Sequence, residues 1–182
     1  LTHNPLPDIF TPVKSIFLSF PGKGHHMSVV WSCNEWDQLE EVIVGNPLGA
    51  RFPTADSSTQ LTEFPDRSLE KIPQGPFPQR IIEETEEDLN AFVAVLENLG
   101  ITVKRPETWP HEANFSTIHW ESKGYYNYCP RDIMLVIGDH IIETPNVMRS
   151  RAQETFSYRT MMVDYLKSGA KWYSAPKPML LD

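Results

Sequence analysis

One segment pattern occurs twice in this chain and limits what it can fold into. A helix-like stretch ends in glycine, a short strand-like run follows, and proline stops it. The first copy spans residues 96–106 with Gly100 and Pro106, and the second spans residues 166–176 with Gly169 and Pro176. Glycine just past a helix supplies a left-handed turn, and proline cannot extend a strand's hydrogen-bond ladder. A strand or strand pair precedes each copy, so the chain reads as two strand–strand–helix–strand units. Two such units suggest the start of a repeating α/β propeller. Two blades alone leave open strand edges, so the chain reads as truncated at its C-terminal end. Residues 27–182 are then the N-terminal portion of one propeller domain. Residues 1–26 stand apart: Pro5, Pro7, Pro12 and Pro21 break any regular element. They read either as an extension upstream of Met27 or as an ordered N-terminal arm.

The individual elements follow from local pattern. Ser28-Val29-Val30-Trp31-Ser32 is strand-like, and Val42-Ile43-Val44-Gly45 reads as a buried strand closed by Asn46-Pro47. Residues 46–78 hold no periodic segment and read as a long functional loop or lid. Residues 79–99 form the clearest helix, with Ile82, Leu89, Phe92, Val93 and Leu96 on the core face. Glu83, Glu84, Glu86, Glu87 and Asp88 make a solvated face, not a metal site. Residues 133–137 and 140–145 read as strands joined by a Gly138-Asp139 hairpin turn. Residues 148–167 read as a helix with Ala152, Phe156, Met162, Val163 and Leu166 toward the core.

The run Tyr128-Cys129-Pro130-Arg131-Asp132-Ile133-Met134-Leu135-Val136-Ile137-Gly138 carries the strongest chemical signal. Arg131-Asp132 stands at the mouth of an apolar strand expected to be buried on both faces. A carboxylate there is costly unless a cation or a ligand compensates it. Asp132 is therefore half of a structural ion pair or a hook for a cationic substrate. Arg149, Arg151 and Glu154 form a second cluster. It either braces the blade against the Asp132 strand or offers an arginine to a substrate carboxylate. Cys33 and Cys129 form no CxxC pair and read as small packing residues. His25-His26, His111, His119 and His140 give no pair at metal-ligand spacing, so no metal or cofactor is expected.

Bulk properties exclude little but are consistent. A net charge of -8 argues against nucleic acid or an anionic membrane as the main partner. No stretch approaches the ~20 apolar residues that a membrane-spanning helix needs. The cytoplasm is the default compartment for a chain with this cysteine usage.

Taken in order, several stretches resemble the amidinotransferase family, which includes the glycine and inosamine-phosphate enzymes and those of cyanobacterial toxin pathways. They begin with Asn34-Glu35-Trp36-Asp37-Gln38-Leu39-Glu40-Glu41-Val42-Ile43-Val44-Gly45 and Gly49-Ala50-Arg51-Phe52-Pro53-Thr54-Ala55-Asp56. Glu83-Glu84-Thr85-Glu86-Glu87, Val103-Lys104-Arg105-Pro106 and Tyr128-Cys129-Pro130-Arg131-Asp132 follow. Ile141-Ile142-Glu143-Thr144-Pro145, Arg149-Ser150-Arg151, Gly169-Ala170-Lys171-Trp172 and Ala175-Pro176-Lys177-Pro178 complete the set. The resemblance covers residues 28–182, and the stretch from Gly49 to Asp56 looks more like the inosamine-phosphate and toxin-pathway branch.

The resemblance implies a pentein fold, a five-bladed α/β propeller of which this chain covers about the first two ββαβ blades. It implies transfer of an amidino group from L-arginine to an acceptor amine through a covalent amidino-cysteine. It assigns Asp132 as the carboxylate that holds the guanidinium, and it places the nucleophilic cysteine and the histidine base beyond residue 182. Cys129 is then not the nucleophile. Small-molecule substrates and a homodimer are the expected partners. An arginine deiminase of the same superfamily, or a non-catalytic arginine-binding fragment, are the alternatives.

Overall fold

The computed structural model describes residues 28–181; the expectations about residues 1–26 and Met27 lie outside the described residues. Seven strands and three α-helices follow one another in the described chain, in a mixed α/β arrangement.

The first unit is a parallel pair with a helical crossover. β1 (Glu41–Ile43) pairs with β2 (Thr102–Lys104), with Val42 opposite Val103. Parallel strands require such a crossover. α1 (Ser57–Glu63) and α2 (Gln79–Asn98) lie between them in the chain. The second unit is a three-stranded sheet in the order β5 (Met134–Ile137), β6 (His140–Glu143), β7 (Lys171–Ser174). β5 and β6 form an antiparallel hairpin. α3 (Arg159–Lys167) then crosses over so that β7 runs parallel to β6. A small antiparallel pair, β3 (Phe115–Ser116) and β4 (Glu121–Ser122), lies between the units in the chain.

The repeated punctuation works by the same hydrogen bonds in both copies. After α2, Gly100 has φ +81° and the Ile101 N–H donates to the Leu96 carbonyl at 3.1 Å. After α3, Gly169 has φ +101° and the Ala170 N–H donates to the Tyr165 carbonyl at 3.0 Å. Both are six-to-one closures of a helix end through a left-handed glycine.

The core gathers Ile133, Ile141, Tyr158, Met162, Tyr165 and Ala170, with Val30, Ile43, Met134, Met161 and Trp172 against them. Each large apolar side chain buried there contributes about 1.5–3 kcal/mol. Tyr165 also donates its hydroxyl to Glu41 Oε1 at 2.5 Å, which ties α3 to β1 across the two units.

Five expectations are corrected. The 28–32 run is not a strand of the first unit: Ser32 instead makes an isolated antiparallel bridge to Gly138 in the second. The 46–78 segment is not wholly irregular. It holds α1, capped by Asp56, whose carboxylate accepts from the Thr59 N–H at 2.9 Å, and a 3-10 turn at Leu69–Lys71. Strand β5 is not buried on both faces. Ile133 before it is 1% exposed, but Leu135, Val136 and Ile137 are 47%, 37% and 55% exposed. β5 is the outer strand of its sheet, and those side chains are only partly covered. The 148–167 helix is replaced in its first half by 3-10 turns at Arg149–Arg151 and Glu154–Tyr158. In that half the buried Ser157 hydroxyl donates to the Glu154 carbonyl at 2.9 Å. Of the expected apolar faces, Phe92, Phe156 and Leu166 are exposed.

Candidate functional site

Asp132 ends a 3-10 turn, Pro130–Asp132, at the entrance to β5. Proline suits the first position of such a turn because its missing N–H has no partner to lose. The turn is fixed at its far side by β6: the Thr144 hydroxyl donates to the Asp132 carbonyl at 3.0 Å, and the Thr144 N–H to the Ile133 carbonyl at 2.9 Å. Burial of Ile133 anchors the turn from below. The Asp132 side chain, 40% exposed, is thus carried on a rigid hairpin with its carboxylate toward solvent.

The cation beside it is Arg151, not the neighbouring Arg131. Arg151 Nη1 donates to Asp132 Oδ2 at 2.8 Å. The same guanidinium grips Glu154 through two bonds, Nε to Oε2 at 2.5 Å and Nη2 to Oε1 at 3.0 Å. Its carbon lies 4.9 Å from the centre of the Tyr126 ring. Arg131 is exposed and makes no ion pair among the described residues. One buried arginine therefore joins two carboxylates, one buried and one open to solvent. A carboxylate has about four lone-pair sites. Arg151 uses one of those on Asp132, and Oδ1 accepts no hydrogen bond among the described residues. The open edge of that carboxylate can take the N–H groups of a planar cation.

The electrostatics match this division. Burial raises the Glu154 carboxyl to about 7, against the pull of Arg151. The Arg151 guanidinium is itself desolvated by burial, but bonding to Glu154 and Asp132 more than offsets this, so it holds its proton more firmly. The two tendencies disagree about the charge on Glu154. The bidentate geometry is that of an ion pair, and it fits a charged Glu154 better. Burial and the charge of Asp132 raise the Cys129 thiol, so it is a poor source of thiolate. Burial likewise pushes the Tyr125 phenol up to about 12.

The other candidate residues scatter. Arg149 is buried but does not meet Asp132: its Nε donates to the Leu180 carbonyl at 2.9 Å, and its guanidinium lies over Trp120. Cys33 is exposed, which corrects its reading as a packing residue, while Cys129 is half-buried. His111 is a core residue, held neutral by burial with a pKa lowered to about 4. His119 is exposed, and His140 stacks on Tyr173 beside Asp139. Among the described residues, no group of three His, Cys, Asp or Glu side chains is placed to hold a metal, and no helix is long and apolar enough to cross a membrane. Tyr126 was not singled out from sequence. The aromatic run Tyr125-Tyr126-Asn127-Tyr128 directly before the Asp132 motif was the available signal.

Crossover-linked parallel strands and glycine-capped helices define an α/β protein in which a buried arginine braces an open carboxylate. No family model matches the chain. Individual relatives do. It is 49% identical over 158 residues to inosamine-phosphate amidinotransferase 1 of Streptomyces griseus, covering 86% of this chain and 46% of that protein. It is 40% identical over 161 residues to the L-arginine:L-lysine amidinotransferase of Pseudomonas savastanoi pv. phaseolicola, covering 85% and 43%. Among solved structures, the inosamine-phosphate amidinotransferase StrB1 from Streptomyces griseus superposes with a TM-score of 0.82 at 49% identity, covering 85% of this chain and 45% of that one. The chain belongs to the amidinotransferase family and matches the N-terminal part of its relatives. It spans about half the length of the curated relatives it matches.

Proposed function

We propose that residues 27–182 form the donor-binding portion of an amidinotransferase, with Asp132 holding the guanidinium of L-arginine. The observation that carries this reading is the Asp132 carboxylate: fixed on one oxygen by buried Arg151, open on the other, and carried on a rigid hairpin. A planar guanidinium donates two parallel hydrogen bonds to such an edge. That fixes its plane for attack and keeps positive charge on the carbon being attacked. In the proposed reaction a cysteine thiolate forms a bond to that carbon. The carbon–nitrogen bond to ornithine breaks, and the departing amine takes a proton. The acceptor amine then displaces the thiolate and gives up a proton. The thiolate and the base come from a segment outside these residues, since Cys129 is held as a thiol and no histidine accompanies Asp132 in its cluster. In this reading the two units are blades of a five-bladed α/β propeller. The relatives reported above are transferases, so the deiminase alternative is not favoured.

The test is transfer of labelled amidino groups from arginine by the full-length protein and its Asp132→Asn variant. The variant keeps the shape but loses the charge, and a loss of about 10²-fold or more is expected, as for a misplaced reactant. Near-normal transfer by a folded Asp132→Asn protein would overturn the assignment.

A further inference from the structure

Tyr128 combines an exposed side chain with a tightly held backbone. The residue is 44% exposed. Behind it, any side-chain carbon at Gly45 would collide with the Tyr128 Cα and carbonyl, so the chain leaving β1 is pressed directly against residue 128. Just before it, the Asn127 carbonyl accepts from the Asn46 N–H at 3.0 Å and from the hydroxyl of fully buried Tyr158 at 2.9 Å. Just after Cys129, Pro130 opens the turn that carries Asp132. The backbone is thus fixed on both sides of an aromatic ring that remains open to solvent. Such prior ordering lowers the entropy cost of binding.

The ring shares a frame with the Asp132 carboxylate. Arg151 donates to Asp132 Oδ2 at 2.8 Å, and its guanidinium carbon lies 4.9 Å from the centre of the Tyr126 ring. The Tyr126 and Tyr128 ring centres are in turn 4.9 Å apart, with the planes at 61°. Burial, the adjacent Cys129 and the charge of Asp132 all raise the Tyr128 phenol, so the carboxylate is felt at this ring. The chain's own guanidinium shows what such a frame holds. Arg151 is gripped by carboxylates, Glu154 and Asp132, and lies over an aromatic ring, Tyr126. Asp132 and Tyr128 present the same two kinds of group, a carboxylate and a ring, toward solvent.

We propose that Tyr128 is a further, specificity-determining binding residue of the Asp132 site, its ring packing against the plane of the guanidinium whose N–H groups Asp132 holds. This rests on the reading of Asp132 as the guanidinium carboxylate. A carboxylate alone attracts any cation. A ring beside it favours a flat, weakly hydrated guanidinium over a compact, strongly hydrated ammonium, because only the former stacks on an aromatic face at little desolvation cost. Tyr128 therefore sets the preference for arginine over an amine of similar length, and its hydroxyl is dispensable for this.

The test is calorimetric binding of L-arginine to the full-length protein, with L-ornithine as ammonium competitor, beside steady-state amidino transfer. Tyr128→Phe keeps the ring and should bind arginine within about twofold of the wild type. Tyr128→Leu and Tyr128→Gln remove the ring and should each weaken arginine binding about 3- to 30-fold, the loss of one cation–aromatic contact. Ornithine should be affected less, so that it competes better against arginine in these two variants than in the wild type. In transfer, the KM for arginine should rise more than kcat falls. The side chain is exposed, and Tyr128→Gln keeps the test alive if Tyr128→Leu fails to fold. Asp132→Asn in the same assays separates the two readings. Arginine binding lost in Asp132→Asn but unchanged in Tyr128→Leu and Tyr128→Gln would overturn the role of Tyr128 alone. Arginine binding untouched in Asp132→Asn would overturn the reading of Asp132 and this proposal with it. Equal damage by Tyr128→Phe and Tyr128→Leu would also overturn it, because the hydroxyl and not the ring would then be the binding group.

Discussion

Arg151 and Asp132 meet at 2.8 Å across a steep change in exposure: the arginine side chain is 5% exposed and the aspartate 40%. The arginine is therefore a desolvated anchor, and the aspartate is the solvent-accessible member. Because Arg151 also holds Glu154 by two bonds, its single charge is shared between a buried carboxylate and an open one. Removing the guanidinium would strand Glu154 in the interior. Arg151→Met should destabilise the protein by about 3–5 kcal/mol, the range for breaking a buried pair from one side. The double change Arg151→Met with Glu154→Leu should recover most of that loss, since apolar replacements of a whole buried pair are often neutral. Urea denaturation of the wild type and both variants checks this. A double variant no more stable than the single one would show that Glu154 is not the stranded charge.

His111 supplies a pH dependence whose sign is fixed. Burial, helped by Arg51, lowers its pKa from 6.5 to about 4, with Glu112 pulling the other way. The unfolded chain then binds a proton that the folded chain refuses, so His111 favours folding above pH 6.5 and loses that contribution as pH falls toward 4. The loss amounts to roughly 3 kcal/mol at most. The contribution of His111 is isolated by comparison with His111→Gln. The stability of the wild type relative to that variant should decline between pH 6.5 and 4. A constant difference across that window would contradict the buried neutral imidazole.

The parts of this fold that sequence could reveal are those decided locally. Gly100 and Gly169 were legible because a left-handed turn demands glycine wherever the helix stops. The Gly138 turn was legible for the same reason, with φ +56° in the structure. Helix α2 declared itself by periodicity. By contrast, α1 has only Leu61 as a large apolar residue, and that side chain is 76% exposed. Its stability comes from the Asp56 cap rather than from an apolar face. The 28–32 run has strand composition, but which strand it meets is a non-local matter, and it meets Gly138 instead of β1. At the site, Arg151 and Glu154 stood three residues apart and could be grouped by eye. That Arg151 rather than adjacent Arg131 would reach Asp132 depended on the path of the chain between β6 and α3.

The two cysteines should react very differently. Cys33 is exposed, whereas Cys129 is half-buried and its thiol is raised by burial and by Asp132. The thiolate is the reactive species. In the folded protein, iodoacetamide near neutral pH should label Cys33 first and Cys129 slowly, with the order read by peptide mass spectrometry. Preferential labelling of Cys129 would mean that it is an activated thiolate, which would reopen its exclusion as a nucleophile.

The contact between Tyr165 and Glu41 provides a direct measure of how strongly the two units are joined. Tyr165 lies on α3 and is 8% exposed, and its hydroxyl donates to Glu41 of β1 at 2.5 Å. Burial and the bond to Glu41 both raise the phenol above its usual range, so it is a protonated donor at neutral pH. A hydrogen bond to a charged acceptor contributes about 1.5–3 kcal/mol. Tyr165→Phe should lower stability by that amount while leaving the ring in the core. Glu41→Gln keeps an acceptor in place and should cost less. A double-mutant cycle with Tyr165→Phe and Glu41→Ala should return a coupling energy of about 1 kcal/mol or more. Coupling near zero would mean that Ile43 packing and the Ser32–Gly138 bridge alone hold β1 against the second unit.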